Sequence, residues 1–524
     1  MSASTEKKQR QAAREAGTDK KTLAEQEAAK KKAKSNRRWT LGTIGVILLI
    51  ALILFLNSSF LYTHTTAISV GDASYSPAEV SYVYANRYYN WIQSYGSYAS
   101  IFGLDTSTGI AGLKQQKCPM YDDGRTWHDY FMEEARSELS QMTALCAWAD
   151  TNGVTLTDEE IAEVDDSIAT LDSSARAGGY ASGDKYFSAN YGTGVTSAIV
   201  REMALKSALA NKASSEYAAS LEYTDAELEE HYQSLDGAQD KFSFSYYLVN
   251  AEKVESTDAD GNTSSAVTEE TTAAAKDAAD DILTAYTALK QSNPDDDNYT
   301  AMLNSAVTQV APTAEATERS NITGGNLGDY KEWLMASGRK AGDATVVDKA
   351  DGSGSYVVVF LDRSDNHYPV AQVRHILIKA VADSDGSYTD KAKEIAKNRA
   401  EEILAEFNAG DKTEDSFAEL AKDYSEDTGS AENGGLYDTV YKGATVEEFD
   451  KFCFEGHKKG DTAIVYGESS SYAGYHVMYY VGEGDLYSNL LAKNDLVNTT
   501  VSQWQEDQVN ALTVTNGWWL RIAG

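Results

Sequence analysis

The sequence predicts an α+β protein with a single transmembrane helix, a helical domain and two related domains that combine strands and helices. Three observations lead to this prediction. An apolar run follows a basic N-terminal segment, capped helical patterns fill the next part of the chain, and one βα…αββ pattern then occurs twice. At 524 residues the chain is too long for one ordinary domain, so several units are expected.

Charge is distributed very unevenly along the chain. Residues 1–38 contain 12 Lys and Arg against 5 Asp and Glu, whereas the whole chain carries a formal net charge of -34. Segment 1–38 is therefore predicted to be a basic cytoplasmic tail, and the remainder is strongly acidic. An acidic body repels phosphate backbones, so nucleic acid is excluded as a partner.

The apolar segment 39–62 is predicted to be a transmembrane anchor. Its uninterrupted core, Leu41–Leu56, is 16 residues long, and with aromatic residues at both ends the segment approaches the roughly 20 residues that span a bilayer. Basic residues before the run place the N-terminus in the cytoplasm. We therefore expect a single-pass plasma-membrane protein with residues 63–524 outside the cytoplasm. The alternative is a signal peptide that is cleaved after Ala67.

Helix start signals dominate residues 68–237. Ser76 followed by Pro77 forms an N-cap with proline in the first turn. Thr157 precedes three acidic residues, which suit the positive end of a helix dipole. The same T-D-x-E start returns at Thr224. These signals predict a helical domain over 68–237.

A βα…αββ pattern occurs twice in the C-terminal half. Its first strand reads FSFSYYLVNA in one copy and AQVRHILIKA in the other, and its last strand reads GSYVVVFL and GYHVMYYV. Residues of these types are typical of strands, and a repeated order of elements indicates a duplicated unit. We therefore expect two related domains, 241–365 and 369–484, followed by a C-terminal helix and tail, 486–524.

The strand AQVRHILIKA carries a histidine, His375, among apolar residues. The equivalent strand of the first copy has Tyr246 there, and the last strands differ in the same way, with His476 in the second copy and Tyr356 in the first. The strand therefore does not need the imidazole in order to form. A histidine in a strand is more often a structural, hydrogen-bonded residue than a functional one, so both interpretations stay open.

Five segments, in order, resemble the parvulin-type peptidyl-prolyl isomerase domain. They are VRHILIK, FAELAKDYSEDTGS, the diglycine Gly434-Gly435, EEFDKFCF and GYHVMYY. The helical region with NGVTLTDEEI and YTDAELEEHY resembles the N-terminal part of PrsA/SurA-like extracytoplasmic foldases. The closing helix is similar to the segment that returns to that helical lobe in those proteins, which implies that 486–524 packs on the helical domain.

The resemblance implies a fold, an activity and partners. It implies a small antiparallel sheet wrapped by helices, cis/trans isomerisation of X–Pro bonds, and unfolded or newly secreted polypeptides containing proline as partners. It implies no cofactor and no metal. The matching catalytic positions are His375, His476 and Asp427, and the matching substrate-binding positions are Phe449, Tyr437, Val440 and Thr445.

Two departures from the family pattern bear on activity. Tyr437, Val440 and Thr445 stand where the family has a leucine, an aromatic residue and a methionine, so the predicted proline pocket is more polar. The first copy, 241–365, has tyrosines at both histidine positions. We interpret it as a degenerate parvulin-like domain without isomerase activity, which serves as a spacer or binds peptide.

Three functions stay open on this basis. The leading hypothesis is a membrane-anchored foldase with isomerase activity. The second is a chaperone of the same architecture without that activity, whose Tyr-rich helical domain holds extended chains. The third is an envelope or adhesion protein that reuses these domains. A Cys118–Cys146 disulfide is also an open alternative, whereas Cys453 is expected to be a buried thiol.

Overall fold

The computed structural model describes residues 3–17, 20–56, 58–257, 263–384 and 386–524. The predicted anchor, 39–62, includes residue 57 and four side chains between residues 51 and 56 that lie outside the described residues. Among the helices of the described ranges, none combines the length and the apolarity that crossing a bilayer requires.

Helices and strands alternate along most of the described chain. The helices are α1 (Ala3–Glu15), α2 (Lys20–Leu56), α3 (Phe60–His64), α4 (Pro77–Tyr95), α5 (Trp127–Asn152), α6 (Asp158–Ala177), α7 (Gly183–Tyr191), α8 (Ser197–Ala219), α9 (Asp225–Ser234), α10 (Glu269–Ser292), α11 (Tyr299–Val310), α12 (Lys331–Met335), α13 (Asp390–Ala409), α14 (Glu414–Tyr424), α15 (Glu447–Phe454) and α16 (Tyr487–Asn510). The strands are β1 (Ile68–Val70), β2 (Ala73–Tyr75), β3 (Lys241–Asn250), β4 (Lys253–Thr257), β5 (Thr263–Val267), β6 (Thr317–Thr323), β7 (Ala344–Asp348), β8 (Gly354–Ser364), β9 (Pro369–Lys379), β10 (Leu436–Val440), β11 (Thr462–Glu468), β12 (Ala473–Leu486) and β13 (Val514–Asn516). Helices and antiparallel sheets together confirm the predicted α+β class.

Residues 1–221 and 499–524 form one compact unit. Its core is aromatic, with the fully buried Trp127 at the start of α5. The C-terminal part of the chain joins this core, because β13 pairs antiparallel with β1 and Trp504 of α16 stacks on Tyr217 of α8 at 4.1 Å between ring centroids. Both ends of this unit therefore contribute to a single hydrophobic core.

The helix α9 lies in the second compact unit, residues 222–498, although the sequence pattern assigns it to the helical domain 68–237. Its buried side packs Leu228 and Tyr232 against Ala492 of α16. The start signal of α9 predicts a helix but carries no information about which core the helix joins. The tertiary contact with α16 decides that, so the boundary differs from the predicted one.

Two four-stranded antiparallel sheets lie in the second unit, with the strand orders β6-β3-β8-β7 and β10-β9-β12-β11. In chain order, β3, β6, β7 and β8 correspond to β9, β10, β11 and β12, and a pair of helices follows the first strand in each case. The two copies of the sequence pattern therefore share one topology.

The second sheet is covered on both faces. On one face Ile376 packs with α13 and α14, and on the other face Val373 packs with α15. Side chains alternate along a strand, so His375 shares the face of Val373. The predicted floor of the site therefore points toward α15.

The three cysteines of the chain are free thiols. The Cys118–Cys146 disulfide, which the sequence left as an alternative, is not formed. Cys453 is buried in the core on the α15 side of the second sheet, and this burial raises the pKa of its thiol to about 12. It therefore behaves as a small apolar core residue.

Candidate active site

The two predicted histidines lie on the neighbouring strands β9 and β12. The register pairs His375 with Met478 and Leu377 with His476, so the imidazoles are diagonal neighbours on one face of the sheet. Their Nδ1 atoms are 3.0 Å apart, and the two residues are only 2% and 4% exposed. The sheet geometry thus brings two imidazoles into a buried hydrogen bond.

Gly435, the residue before β10, holds the backbone of His375 in position. The carbonyl oxygen of Gly435 accepts a hydrogen bond from the backbone N–H of His375 at 2.8 Å. Its φ is +70°, and a Cβ atom there would lie 2.1 Å from the carbonyl oxygen of His375. Because both the left-handed backbone and the close approach exclude a side chain, only glycine fits here. Arg374 supports the same turn by donating to the carbonyl of Gly434 at 2.9 Å.

Asp427, in the turn after α14, accepts several hydrogen bonds at one end of the site. Its Oδ2 atom lies 3.0 Å from His375 Nε2 and accepts from Ser430 Oγ at 2.6 Å and from the Tyr437 hydroxyl at 3.0 Å. The hydrogen bonds from His375, the largest cause, and from Ser430 hold the pKa of the Asp427 carboxyl well below its usual range. Within the described residues, no group of three or more His, Cys, Asp or Glu is arranged to hold a metal ion.

With both imidazoles neutral, one set of proton positions satisfies the whole chain of polar atoms. Because Asp427 is ionised, His375 donates from Nε2, and its Nδ1 then accepts a hydrogen bond from the Nδ1–H group of His476. This leaves His476 Nε2 to accept from the hydroxyl of Tyr472 at 3.0 Å. Burial, with the neighbouring His375 as a second cause, lowers the pKa of His476 to about 3, which keeps that ring neutral. The hydrogen bonds therefore run in one direction from Tyr472 to Asp427.

A cavity of about 340 Å³ lies over this polar chain. Phe449 forms one wall, with its ring centroid 5.4 Å from that of His375 and 5.2 Å from that of His476, in edge-on contacts. Tyr437 stacks on His375 at 4.8 Å. The hydroxyl of Thr445, which also lines the cavity, is buried without a hydrogen-bond partner among the described residues. The cavity thus offers apolar and aromatic walls over a floor of two hydrogen-bonded imidazoles, with the carboxylate of Asp427 at one end.

The structure brings most of the predicted site residues to this cavity. The predicted residues among those that line it are His375, His476, Asp427, Phe449, Tyr437 and Thr445. Val440 does not line it but is buried in the core that also contains Phe449. The register of β10 is irregular between Tyr437 and Val440, so side chains do not simply alternate there. Counting residues from Tyr437 therefore does not give the face on which Val440 lies.

Sequence reasoning missed two residues of the polar chain, Ser430 and Tyr472. Ser430 lies three positions after Asp427 in the same turn, a spacing that favours a local side-chain hydrogen bond. Tyr472 lies four positions before His476, in the turn before β12, and its contact depends on how that turn folds back. Only the first of these contacts leaves a recognisable signal in the sequence.

Known proteins match the part of the chain that holds this cavity. The family model of the PPIC-type PPIase domain matches residues 358–480, which include every predicted site residue. The chain is 29% identical over 159 residues to foldase protein PrsA 3 of Bacillus anthracis, a match that covers 29% of this chain and 48% of that protein. It is 36% identical over 103 residues to chaperone SurA of Alcanivorax borkumensis, covering 19% of this chain and 21% of that protein.

The chain spans about half the length of the Bacillus relatives that it matches. Among solved structures, that of PrsA from Bacillus subtilis aligns with 75% of this chain and 89% of that chain, at 15% identity and a TM-score of 0.28. The chain therefore carries a parvulin-type domain of the PPIC-type PPIase family, and through that domain it is related to the PrsA and SurA foldases.

Proposed function

We propose that the chain is an extracytoplasmic foldase whose second sheet domain catalyses cis/trans isomerisation of X–Pro bonds in secreted polypeptides. One observation carries this proposal. The apolar wall of Phe449 stands directly against the buried, hydrogen-bonded His375–His476 pair, which the carboxylate of Asp427 orients.

The chemical task is rotation about a conjugated amide. The barrier is ~18–20 kcal/mol because rotation breaks the conjugation. In a free peptide the exchange takes roughly tens to hundreds of seconds. No nucleophile or metal is needed, since no bond between heavy atoms is made or broken. The site must only bind the twisted amide better than either planar form.

The cavity can favour the twisted amide through its polarity. A planar amide is strongly dipolar and well hydrated, whereas a twisted amide has lost much of its charge separation. Placing the X–Pro bond against Phe449 removes it from water, which costs the planar forms more than the twisted one.

The polar floor supports this role because hydrogen bonds hold both imidazoles in place. The neutral imidazole of His476 does not attract anions into the cavity as an imidazolium would. The carboxylate of Asp427 orients His375 and also holds the hydroxyl of Tyr437, the residue that stacks on that imidazole. We therefore assign Asp427 the role of positioning His375 and Tyr437.

The test is a proline-isomerisation assay on the full chain with a matched pair of variants. Phe449→Ala and Phe452→Ala each remove a buried phenylalanine from α15, with a stability cost of roughly 3–5 kcal/mol, but only Phe449 contacts both histidines. We expect activity to fall in the Phe449 variant and to persist in the folded fraction of the Phe452 variant. Equal losses in both, or no activity in the wild type, would remove the support for this site.

A second function, holding of unfolded chains, is favoured by an exposed aromatic surface on the first unit. Tyr95, Tyr98, Ile101 and Phe102 are 49%, 57%, 78% and 40% exposed, and Trp91 contacts the rings of both Tyr95 and Phe102. Clustered exposed apolar residues are typical of interaction surfaces. We expect the full chain to slow aggregation of a reduced, unfolded protein, and Phe102→Ser with Tyr95→Ser to weaken that effect without changing the isomerisation rate.

We propose further that segment 39–62 anchors the chain in the plasma membrane with residues 1–38 in the cytoplasm. The support is the apolar run Leu41–Leu56 after a basic segment. Resistance of the chain to alkaline extraction from membranes, with residues 63–524 open to protease added to the outer side, is the expected result. Release by alkali, or a mature chain that begins after Ala67, would contradict the anchor.

A further inference from the structure

Three tyrosines in the first sheet domain repeat the geometry of the candidate active site. We call Tyr246, Tyr330 and Tyr356 the tyrosine triad. The register of β3 and β8 pairs Tyr246 with Val358 and Leu248 with Tyr356, which is the diagonal arrangement of His375 and His476 in the second sheet. Tyr246 and Tyr356 thus occupy the two histidine positions.

The third member of the triad takes the place of Phe449. The Tyr330 ring centroid lies 5.8 Å from that of Tyr246 and 5.4 Å from that of Tyr356. In the second sheet the corresponding distances from Phe449 to the two imidazoles are 5.4 and 5.2 Å. Both aromatic residues lie at the start of the short helix that covers the sheet. The fold therefore keeps a three-ring site while it exchanges both imidazoles for phenols.

The triad presents an accessible aromatic surface with hydrogen-bonding groups. Its rings are half-buried, with one side packed on a core that includes Phe244 and Leu334. None of the three hydroxyls is buried, and none has a hydrogen-bond partner among the described residues. Tyrosines in this state supply contact area at a low cost in conformational entropy, and aromatic surfaces of this kind bind proline-containing segments.

One cation extends this surface along the sheet. Arg319 of β6 pairs with Phe244 of β3, and directly paired residues share a face, so Arg319 lies on the face of the triad. Its side chain is exposed and makes no ion pair within the described residues. Near the opposite side of the triad, Lys349 is already paired with Asp351 at 2.8 Å. Asp329 contributes a negative charge near Tyr330 and Tyr356, so the positive charge of this face lies on the Arg319 side, where it complements an acidic side chain of a bound segment.

We propose that the tyrosine triad and Arg319 form a second, non-catalytic binding site for proline-containing segments with an acidic residue next to the proline. The inference rests on the proposed function in taking proline-containing polypeptides as clients. The triad has phenols where the second sheet has its imidazole pair, so it binds such a segment without the polar floor that the second sheet offers. A client held at the triad is kept at a high effective concentration near the second sheet, because both sheets belong to one compact unit.

The test measures binding of two peptides to the full chain by fluorescence anisotropy. Each probe is a labelled, end-blocked peptide of about twelve residues with one X–Pro step, Glu-Pro in one and Lys-Pro in the other, which is long enough to cross a sheet of four strands. The measurement is made in the Phe449→Ala background, so that the second groove does not contribute. Arg319→Glu removes the charge, Tyr356→Ala removes a ring, and Lys253→Glu on the exposed hairpin is the matched charge-reversal control.

We expect Arg319→Glu and Tyr356→Ala each to weaken binding of the Glu-Pro peptide about tenfold or more, which corresponds to about 1.4 kcal/mol. Arg319→Glu should also bind the Lys-Pro peptide more tightly than its parent, and Lys253→Glu should change neither affinity. Unchanged Glu-Pro affinity in Arg319→Glu, a solvent-exposed variant that does not disturb packing, would overturn the proposal.

The isomerisation rate distinguishes this inference from the proposed function. Arg319→Glu in the otherwise wild-type chain should leave kcat/KM for a short proline peptide unchanged, because Arg319 belongs to the first sheet. If the wild-type chain shows no isomerisation while the triad variants lose binding, the proposed activity falls and the binding site stands. If isomerisation occurs but the triad variants bind normally, the binding site falls alone.

Discussion

The Nδ1 atoms of His375 and His476 lie 3.0 Å apart, so a single proton lies between the two imidazoles. One ring must donate it and the other must accept it. Asp427 and Tyr472, which bind the outer nitrogens of the two imidazoles, set the direction of this hydrogen bond. The proton positions of the two imidazoles can therefore be changed by substituting Asp427 or Tyr472, without substituting a histidine.

Removal of the Tyr472 hydroxyl should remove the hydrogen bond that His476 Nε2 accepts. In Tyr472→Phe, Nε2 of His476 loses its donor and can take up a proton, so the pKa of His476 should rise from about 3. We expect the isomerisation rate to fall on acidification at a higher pH than in the wild type. Nitrogen-15 spectra of the imidazoles should show Nδ1–H on His476 in the wild type and a loss of this preference in the variant.

The control is Tyr475→Phe, which removes a hydroxyl on the opposite face of the same strand. Its pH profile should match that of the wild type. An unshifted profile and unchanged spectra in Tyr472→Phe would show that the hydroxyl does not set the state of His476.

Acidification should destabilise the second sheet domain through His476. Its folded-state pKa, about 3, lies below the ordinary value of about 6.5, so between these values the unfolded chain binds a proton that the folded chain does not. Stability should therefore decrease as pH falls through this window. Hydrogen exchange of β9 and β12, corrected for intrinsic rates, should show less protection at pH ~4.5 than at pH ~7. His476→Tyr should reduce this difference, and an identical difference in both proteins would contradict the assignment.

Gly435→Ala should destabilise the domain more than Gly443→Ala. Both glycines have positive φ, +70° and +81°, but an added Cβ meets the His375 carbonyl oxygen at 2.1 Å in the first case and nothing closer than 3.8 Å in the second. We expect a loss of about 1 kcal/mol for Gly443→Ala from backbone strain alone. Gly435→Ala should cost roughly 3 kcal/mol or more because the strand must also move. Urea unfolding of the two variants measures the difference, and equal losses would show that the close approach is relieved cheaply.

The repeated strands allowed much of this site to be predicted. FSFSYYLVNA and AQVRHILIKA fold as β3 and β9, the central strands of equivalent sheets, and the register places Tyr246 and His375 in equivalent positions. Alternation and strand propensity are local properties, so the sequence encodes them directly. The pairing of His375 with His476 follows once these strands are neighbours.

Other features depend on contacts that no local pattern contains. The start signal at Thr224 predicts α9, but contact with Ala492, far along the chain, decides which unit α9 joins. The side chain of Val440 lies in the core, after the irregular register of β10. The turn before β12 brings the hydroxyl of Tyr472 to His476. Each of these results from packing between segments that are distant in the sequence or from an irregularity that spacing cannot reveal.

The central claim, that the His375–His476 floor makes the second sheet an isomerase, is tested most directly by His375→Tyr with His476→Tyr in the full chain. The first sheet holds tyrosines at these positions, so the double variant should fold. The measurement is the rate of cis/trans exchange of a proline peptide, followed by NMR at equilibrium. We predict exchange well above the uncatalysed rate for the wild type and a loss of at least about tenfold in the folded double variant, which corresponds to about 1.4 kcal/mol of transition-state stabilisation. Exchange as fast in the double variant as in the wild type would contradict the claim.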